Sequence, residues 1–510
     1  MESTVTKSTR IAKNTALLYL RMLLIIIVNI IMSRVVLKLL GIQDYGIYNV
    51  VGGTVMMFSL LTASLSTAIS RYITYALGQG KENCLKVVFS TSVQIQGFLA
   101  LFIFVIAEVA GLWFLNTSLN IPEERMYAAQ WVFQFSVVVF VARLIGVPFN
   151  AAIIAHERMN VFAYISILES ILTLSLVLLL SICSFDKLIA YSILLAFVAV
   201  VIQILYIYYC RHKFVECKLQ RTFDKSLLKE ISGFAGWNLM GTGATLFNTQ
   251  GINIITNILF DVTVNAARGV ADQVQSLVLQ FVNNFTTAFN PQITKSYAAH
   301  EYDYLFKLIY KGAKFSYYLM LIFIVPFMLE IETVLDIWLG EYPSYAPIFI
   351  RLSLIASMVD FLGNQIARAV WATGSVKKYY LVTCSVSFLV FPISLLLFKM
   401  GMEPYWSYVV FILCYIVLIP LRLNVLHGLI PEFLPKMFYK YVLMVIIPVT
   451  ILSFTLPTFL FFIIETSIVS SLMIISLSVI WTMICIYIFG MNINEKLFIR
   501  SVMGKFVSRK

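Results

Sequence analysis

The sequence predicts an all-α integral membrane protein with about 14 transmembrane helices, and three observations predict it. Of its 510 residues, 60% are hydrophobic and only 12% charged, and the mean hydropathy is +0.90, far outside the usage of soluble domains. Apolar runs of bilayer length recur along the whole chain. The loops between them alternate between basic and nearly uncharged, the pattern of a multi-pass protein under the positive-inside rule.

A window of about twenty residues places the helices near 14–39, 46–70, 87–115, 127–155, 160–182, 188–210, 232–259, 267–294, 307–331, 346–372, 380–399, 405–426, 438–460 and 466–490. The leading segment MESTVTKSTRIAK is polar and basic. The apolar run behind it is longer than a signal-peptide core and has no A-x-A-like cleavage site, so it is expected to stay as the first helix. With the N-terminus inside, twenty-seven of the 37 Lys and Arg fall on the cytoplasmic side. Five lie near the outer face (Lys38, Arg125, Lys187, Arg268, Lys399) and five within helices. Both termini are then expected in the cytoplasm. The net charge of +12 calls for no nucleic acid, because basic loops against anionic membrane lipids account for it.

The first helix carries Arg21 and Arg34 where lipid would penalise them. A guanidinium in hydrocarbon costs several kcal/mol and cannot shed its proton, so it must face protein, water or an anion. A short polar turn at Gly41–Gly46 follows, within the motif LG-x-x-x-Y-G-x-Y-N-V-V-G-G at Leu40–Gly53, and the Ser/Thr-rich second helix ends in SRYIT at Ser70–Thr74. Over these sixty or so residues the chain resembles the Wzx-type polysaccharide flippases, of the superfamily that also holds the multidrug and toxin exporters. The resemblance implies two six-helix lobes around a central cavity. It also implies a bacterial cytoplasmic membrane and a cargo of undecaprenyl-diphosphate-linked repeat units of O-antigen or capsule.

The longest basic loop, about 211–230, divides the chain after six helices. Beyond it TTAFNPQIT at Thr286–Thr294 echoes STAISRYIT at Ser66–Thr74, an offset of 220 residues. That offset sets the polar turn Asp261–Ala266 opposite Gly41–Gly46. Six helices between copies give both the same orientation, a parallel repeat about an axis along the membrane normal. The expected organisation is a lobe at 1–210, a linker at 211–230, a second lobe at 231–427, and two further helices with a basic tail at 428–510.

With Arg268 and Arg422, close to helix ends, grouped with the outer and cytoplasmic charges, five arginines fall within predicted helices: Arg21, Arg34, Arg143, Arg351 and Arg368. Arg351 sits near a helix start and is expected to snorkel, and Arg21 and Arg34 can do so too. As a set, cations in a low-dielectric cleft suit phosphate, which makes Arg21, Arg34, Arg143 and Arg368 the candidate substrate-binding residues. An exporter of cationic drugs would call for carboxylates instead, and the first helix has none. Glu108, Glu169, Asp272 and Asp360 are the acids within helices and the candidate carriers of a coupling ion, H+ or Na+. Asp360, Asn364 and Arg368 stand four residues apart and are expected to form one stripe, with Asn364 linking the charges. Asn238, Thr242, Thr245, Thr249 and Asn253 line one face of the seventh helix. Asp272, Ser276, Gln280, Asn283, Thr287 and Asn290 do the same on the eighth. Such stripes suit either a wetted wall or hydrogen bonding between packed helices.

Enzyme chemistry finds little support. His156, His212, His300 and His427 have neither metal-ligand spacing nor a nearby nucleophile, and seven scattered cysteines imply neither a disulfide framework nor a metal site. No Gly-rich loop with a following Lys is present, so no nucleotide and no cofactor is expected. The longest outer loop, Glu330–Pro347, is short for a glycosyltransferase or polymerase of the same pathways. The expectation is therefore a flippase for lipid-linked oligosaccharides acting by alternating access, not an enzyme, with pathway polymerase or glycosyltransferases as partners. The alternatives are an ion-coupled multidrug exporter and a membrane glycosyltransferase or polymerase.

Overall fold

The computed structural model describes residues 4–56, 59–80, 82–118, 121–181, 184–218, 224–260, 262–464, 467–493 and 495–497. Among these the chain is helical, with no strand. In order the helices are α1 (Thr4–Met56), α2 (Ser59–Gln79), α3 (Glu82–Ile106, carried through a wide turn at Ala107–Gly111 into Leu112–Ser118), α4 (Glu123–Ala155), α5 (Met159–Leu179), α6 (Lys187–Lys213) and α7 (Lys225–Leu259). There follow α8 (Val262–Ala298), α9 (Tyr302–Leu339), α10 (Ala346–Leu362 and, past Gly363, Asn364–Thr373) and α11 (Lys377–Lys399). The last are α12 (Trp406–Leu429), α13 (Pro435–Phe438 through Met444–Ile463) and α14 (Ile468–Cys485, ending in a wide turn to Gly490).

Among the described residues ten helices are long and apolar enough to cross a membrane, which makes this a multi-pass membrane protein. The ten are α3–α6 and α9–α14. α7 and α8 fall short of that apolarity because of their polar stripes. The expected turn after the first span is a single break: Gly41 takes φ 80 and ψ 170, with helix on both sides. A positive φ of that kind suits glycine, which has no Cβ to clash. The matching segment after Asp261 likewise proves helical from Val262 onward.

The chain folds as two compact units, one of Met1–Thr242 with Asn290–His300, the other of Gly243–Phe289 with Glu301–Lys510. In the first, α4 packs most extensively on α6, and Gly146 of α4 leaves no room for a Cβ beside the Gln203 side chain of α6. Close approach at small residues is how membrane helices gain dispersion energy when lipid is as apolar as their side chains. The end of this unit away from the basic loops is fastened by Arg125. Its Nε donates to Asp44 at 2.9 Å and its Nη1 to Asp186 at 2.6 Å, while Asp186 also caps α6 by accepting from the Leu188 and Ile189 N–H groups. At the basic-loop end, His156 pairs with Glu216 and stacks on Phe214 with ring centroids 4.0 Å apart. Beside them Cys210 and Cys217 are buried as free thiols.

In the second unit, α9 runs on to Leu339, past the expected end near 331. Arg351 anchors the extension, donating from Nε to the Met328 carbonyl at 2.9 Å and from both Nη atoms to Glu332 at 2.8 and 2.6 Å. Arg351 therefore does not snorkel, and Glu332 belongs to a helix and not to a loop. The stripe expected on α10 is also broken. Gly363 interrupts the helix, and the guanidinium of Arg422 from α12 lies where a Cβ at Gly363 would stand. Arg422 Nη1 donates to the Asp360 carboxylate at 3.1 Å, so Asp360 is joined to α12 and not through Asn364 to Arg368. Arg422, grouped by sequence with the cytoplasmic charges, is 5% exposed.

Two outcomes follow from these anchors. Replacing Arg422 by Ala leaves Asp360 without its donor and opens a gap over Gly363. A melt in detergent should show a loss of about 1–3 kcal/mol, the scale for a hydrogen bond to a charged group, kept low because the Asp360 carboxylate is 43% exposed. At the other unit's basic-loop end, burial alone would raise the Glu216 pKa. The hydrogen bond from His156, its own backbone N–H and the charges of His156 and Lys86 outweigh that and carry it below the usual carboxylate value. A lowered folded pKa stabilises above the unfolded value and is lost as pH falls through the folded one. Stability of the purified protein should therefore drop below about pH 4.5, and Glu216→Gln should flatten that acid limb while lowering the melting temperature at neutral pH.

Candidate functional site

Each unit contains a cluster of charges at membrane depth. In the first unit α1 carries Arg21 onto the Phe162 ring of α5, 4.5 Å from its centroid, and within electrostatic reach of Glu169 and Tyr206. Its Nε is buried with no hydrogen-bond partner. Arg143 of α4 reaches Glu169 at 3.3 Å, and its side chain is 55% exposed. Glu169 is thus paired with Arg143, with Arg21 nearby. Glu169 is occupied, and as a carrier of a coupling ion it would first have to release Arg143.

The second unit also holds two arginines and one acid, of which Arg422 and Asp360 are paired. Arg368 lies over the Trp371 ring at 4.4 Å, with its Nε buried and lacking a hydrogen-bond partner. The Tyr379 hydroxyl lies within electrostatic reach of Arg422, Asp360 and Arg368. The Tyr415 ring lies 5.5 Å from Arg422, its hydroxyl meets Ser387 at 3.3 Å, and Asn248 donates to the Ser387 carbonyl at 2.6 Å. A polar chain therefore passes through α7, α11, α12 and α10, ending in two arginines and one acid. Sequence reasoning found Arg368 and Asp360. It missed Arg422, which stands within a turn or so of the expected helix end at 426 and was grouped with the cytoplasmic charges.

Arg268 is a second buried cation that its position near a helix start concealed. Its Nε donates to Asn253 at 2.7 Å and its Nη1 to Ser407 at 3.1 Å, with the Tyr408 ring centroid 4.9 Å away. It ties α7, α8 and α12 together. Glu108 lies in the wide turn of α3, a local widening often found where a helix serves a function, and accepts from Gln134 at 3.0 Å. Arg34 is helical in its backbone, and its side chain lies outside the described residues.

The polar stripes resolve in favour of open space. Asp272, Ser276, Gln280 and Asn283 of α8 are exposed, as are Thr245 and Thr249 of α7, and Ser276 and Thr287 bond back to their own helix. Opposite that face Val274, Val278 and Val282 are buried. A carboxylate and amides exposed at membrane depth are costly against hydrocarbon, so this face borders water. Asn253 and Asn238 depart from the pattern: the first holds Arg268, and the second donates to the Ser64 carbonyl of α2 at 3.4 Å. Among the described residues no group of three His, Cys, Asp or Glu is placed to hold a metal.

Known proteins of this kind exist. The family model described as polysaccharide biosynthesis protein matches residues 11–297. An uncharacterized membrane protein of Bacillus subtilis, EpsK, is 20% identical over 346 residues, 67% of this chain and 68% of that protein. Among solved structures, a MATE transporter in its bent conformation superposes with a TM-score of 0.72 at 12% identity, over 84% of this chain and 99% of that one. A transporter of the MOP superfamily from Pyrococcus furiosus, whose binding pocket is described as of reverse polarity, does so with a TM-score of 0.64 at 13% identity, over 82% and 96%. Those likenesses give the fold of MATE-like transporters, and with more than half of its length matched by one family model, the chain belongs to the polysaccharide biosynthesis protein family.

Proposed function

We propose that this protein carries saccharides linked to a polyprenyl diphosphate from the cytoplasmic to the outer leaflet of a bacterial cytoplasmic membrane. The observation that carries the reading is the excess of guanidinium over carboxylate at membrane depth. Arg143 meets one acid and Arg422 another, Arg21 and Arg368 rest on aromatic rings, and Arg21, Arg368 and Arg422 each have a buried Nε without a partner. A diphosphate supplies several anionic acceptors at once and binds guanidinium by multiple short hydrogen bonds. The exposed polar face of α8 is the surface along which a hydrophilic sugar would travel, its prenyl chain remaining in lipid.

On this reading the two lobes are 1–210 and 231–427, joined by the basic linker, with 428–510 added. Both termini are cytoplasmic, and the lobes rock to give alternating access. No chemical step on the cargo is invoked. Polymerases and glycosyltransferases of the pathway are the natural suppliers and consumers. Ion coupling through Glu108, Glu169, Asp272 or Asp360 is consistent with the same scheme, and Asp272, whose carboxylate lies on the exposed face, is the readiest of the four.

Replacing Arg21 or Arg368 by Ala should lower the rate at which proteoliposomes move a fluorescent polyprenyl-diphosphate saccharide by about 10–100-fold, the equivalent of one charge-assisted hydrogen bond, with protein level and melting temperature unchanged. Unaltered transport in both variants would refute the anion-binding reading. Expression in a strain lacking drug pumps gives a separate check: resistance to cationic dyes should stay at the control level.

A further inference from the structure

The turn between α4 and α5 presents an anchored carboxylate that the scheme above leaves unused. Glu157 has φ 58, a left-handed conformation that a non-glycine residue keeps only when its surroundings fix it. Its side chain is 2% exposed. One carboxylate oxygen accepts from Gln292 Nε2 at 2.6 Å and the other from Lys295 Nζ at 2.7 Å, and its carbonyl accepts from Asn14 Nδ2 at 3.4 Å. Three donors from α1 and the end of α8 thus converge on one residue. Nearby, a methyl at Gly78 of α2 would stand 2.7 Å from the Ala298 Cβ and 3.0 Å from the Lys295 Cα, and Tyr75 meets Tyr297 with centroids 6.3 Å apart.

Two features separate this contact from ordinary packing. Asn290–His300 belongs to the first compact unit, whereas α8 up to Phe289 belongs to the second, and Pro291 stands at that boundary inside the helix. Proline removes a backbone hydrogen bond and makes the point where a membrane helix bends. An ammonium and an amide NH2 on the carboxylate, with a second amide NH2 on the same residue's carbonyl, are also donors of the kind that a phosphate asks for.

We propose that Glu157 is a built-in anion that latches the basic-loop end of α8 shut, and that a phosphate headgroup opens it by taking Lys295, Gln292 and Asn14 in its place. The donors are thereby a binding site for the diphosphate on its entry, filled by the protein's own carboxylate when no cargo is present. Displacement frees the last turns of α8 to swing about Pro291. The substrate class rests on the flippase reading; the latch itself does not.

The test uses the purified full-length protein in micelles with Ser296→Cys as reporter, since Ser296 is 3% exposed, and mass spectrometry of that peptide to follow maleimide labelling. Labelling should be slow in the parent, faster with added inorganic pyrophosphate, and about tenfold faster in Glu157→Gln without it, the population shift expected from losing one charge-assisted hydrogen bond. The charge swap Glu157→Lys with Lys295→Glu should label slowly again and ignore pyrophosphate, which also shows that the turn still folds. Parent-like labelling in Glu157→Gln would overturn the latch, and acceleration of the swapped protein by pyrophosphate would overturn the site. If pyrophosphate releases the reporter while proteoliposomes move no polyprenyl-diphosphate saccharide, the latch holds and the flippase reading falls.

Discussion

An arginine carried to membrane depth keeps its charge, since its proton cannot be given up at any accessible pH. Every other feature of the two units is arranged around that constraint. Arg351 is answered by Glu332 and a carbonyl, Arg422 by Asp360, Arg143 by Glu169 and Arg268 by an amide, a hydroxyl and a ring. Arg21 and Arg368 are answered chiefly by aromatic faces. A ring over a guanidinium offsets only part of its lost hydration, whereas a carboxylate offsets most of it. The partition between well-answered and poorly answered cations therefore separates those that fasten helices from those that, on the proposed reading, would attract an anion.

The same constraint explains the local irregularities. Gly363 breaks α10 because the Arg422 guanidinium needs the volume a side chain would fill, and the break turns Asp360 towards α12. Pro326 and the non-helical Glu330 bend α9 just before the segment that Arg351 grips. Helix bends and breaks in a membrane leave backbone groups unsatisfied unless side chains or neighbouring helices meet them. Here the side chains that hold a bent segment are charged, and their partners come from neighbouring helices. The irregular backbone and the buried charges are thus one device: each makes the other tolerable.

The fold was legible because bilayer length and loop charge are properties of contiguous sequence. Apolar runs and alternating basic loops needed no knowledge of what touches what. The candidate site was legible only as a set of residues. Arg21, Arg143, Arg368, Glu169 and Asp360 could be named, but their pairings could not, because Arg422 meets Asp360 across 62 residues and Lys295 meets Glu157 across 138. Periodicity suggested the nearest partner on the same helix, Asn364 for Asp360, and a glycine between them defeated it. Glu157 gave no signal at all, being one acid in a short loop beside His156 and Arg158. Exposure decided the polar stripes, where spacing alone fits a wet wall and a packed seam equally well.

Charge exchange offers a consistent logic for moving so polar a cargo. A cation left wholly unpaired at membrane depth would destabilise the empty carrier, and one paired too well would ignore the substrate. Arginines resting on aromatic rings, and an ammonium resting on an internal carboxylate at the helix end, occupy the middle ground. Their resting partners hold them in place, yet a diphosphate with more charge and more acceptor oxygens outcompetes a ring or a single carboxylate. On the proposed flippase reading, release on the far side would follow when those resting partners reclaim the cations, so the groups that shield charge in the empty protein would also be the ones that dislodge the cargo. A ligand shifts a two-state equilibrium only by its differential affinity for the two states, and resting partners that differ between states would supply that difference without any nucleotide.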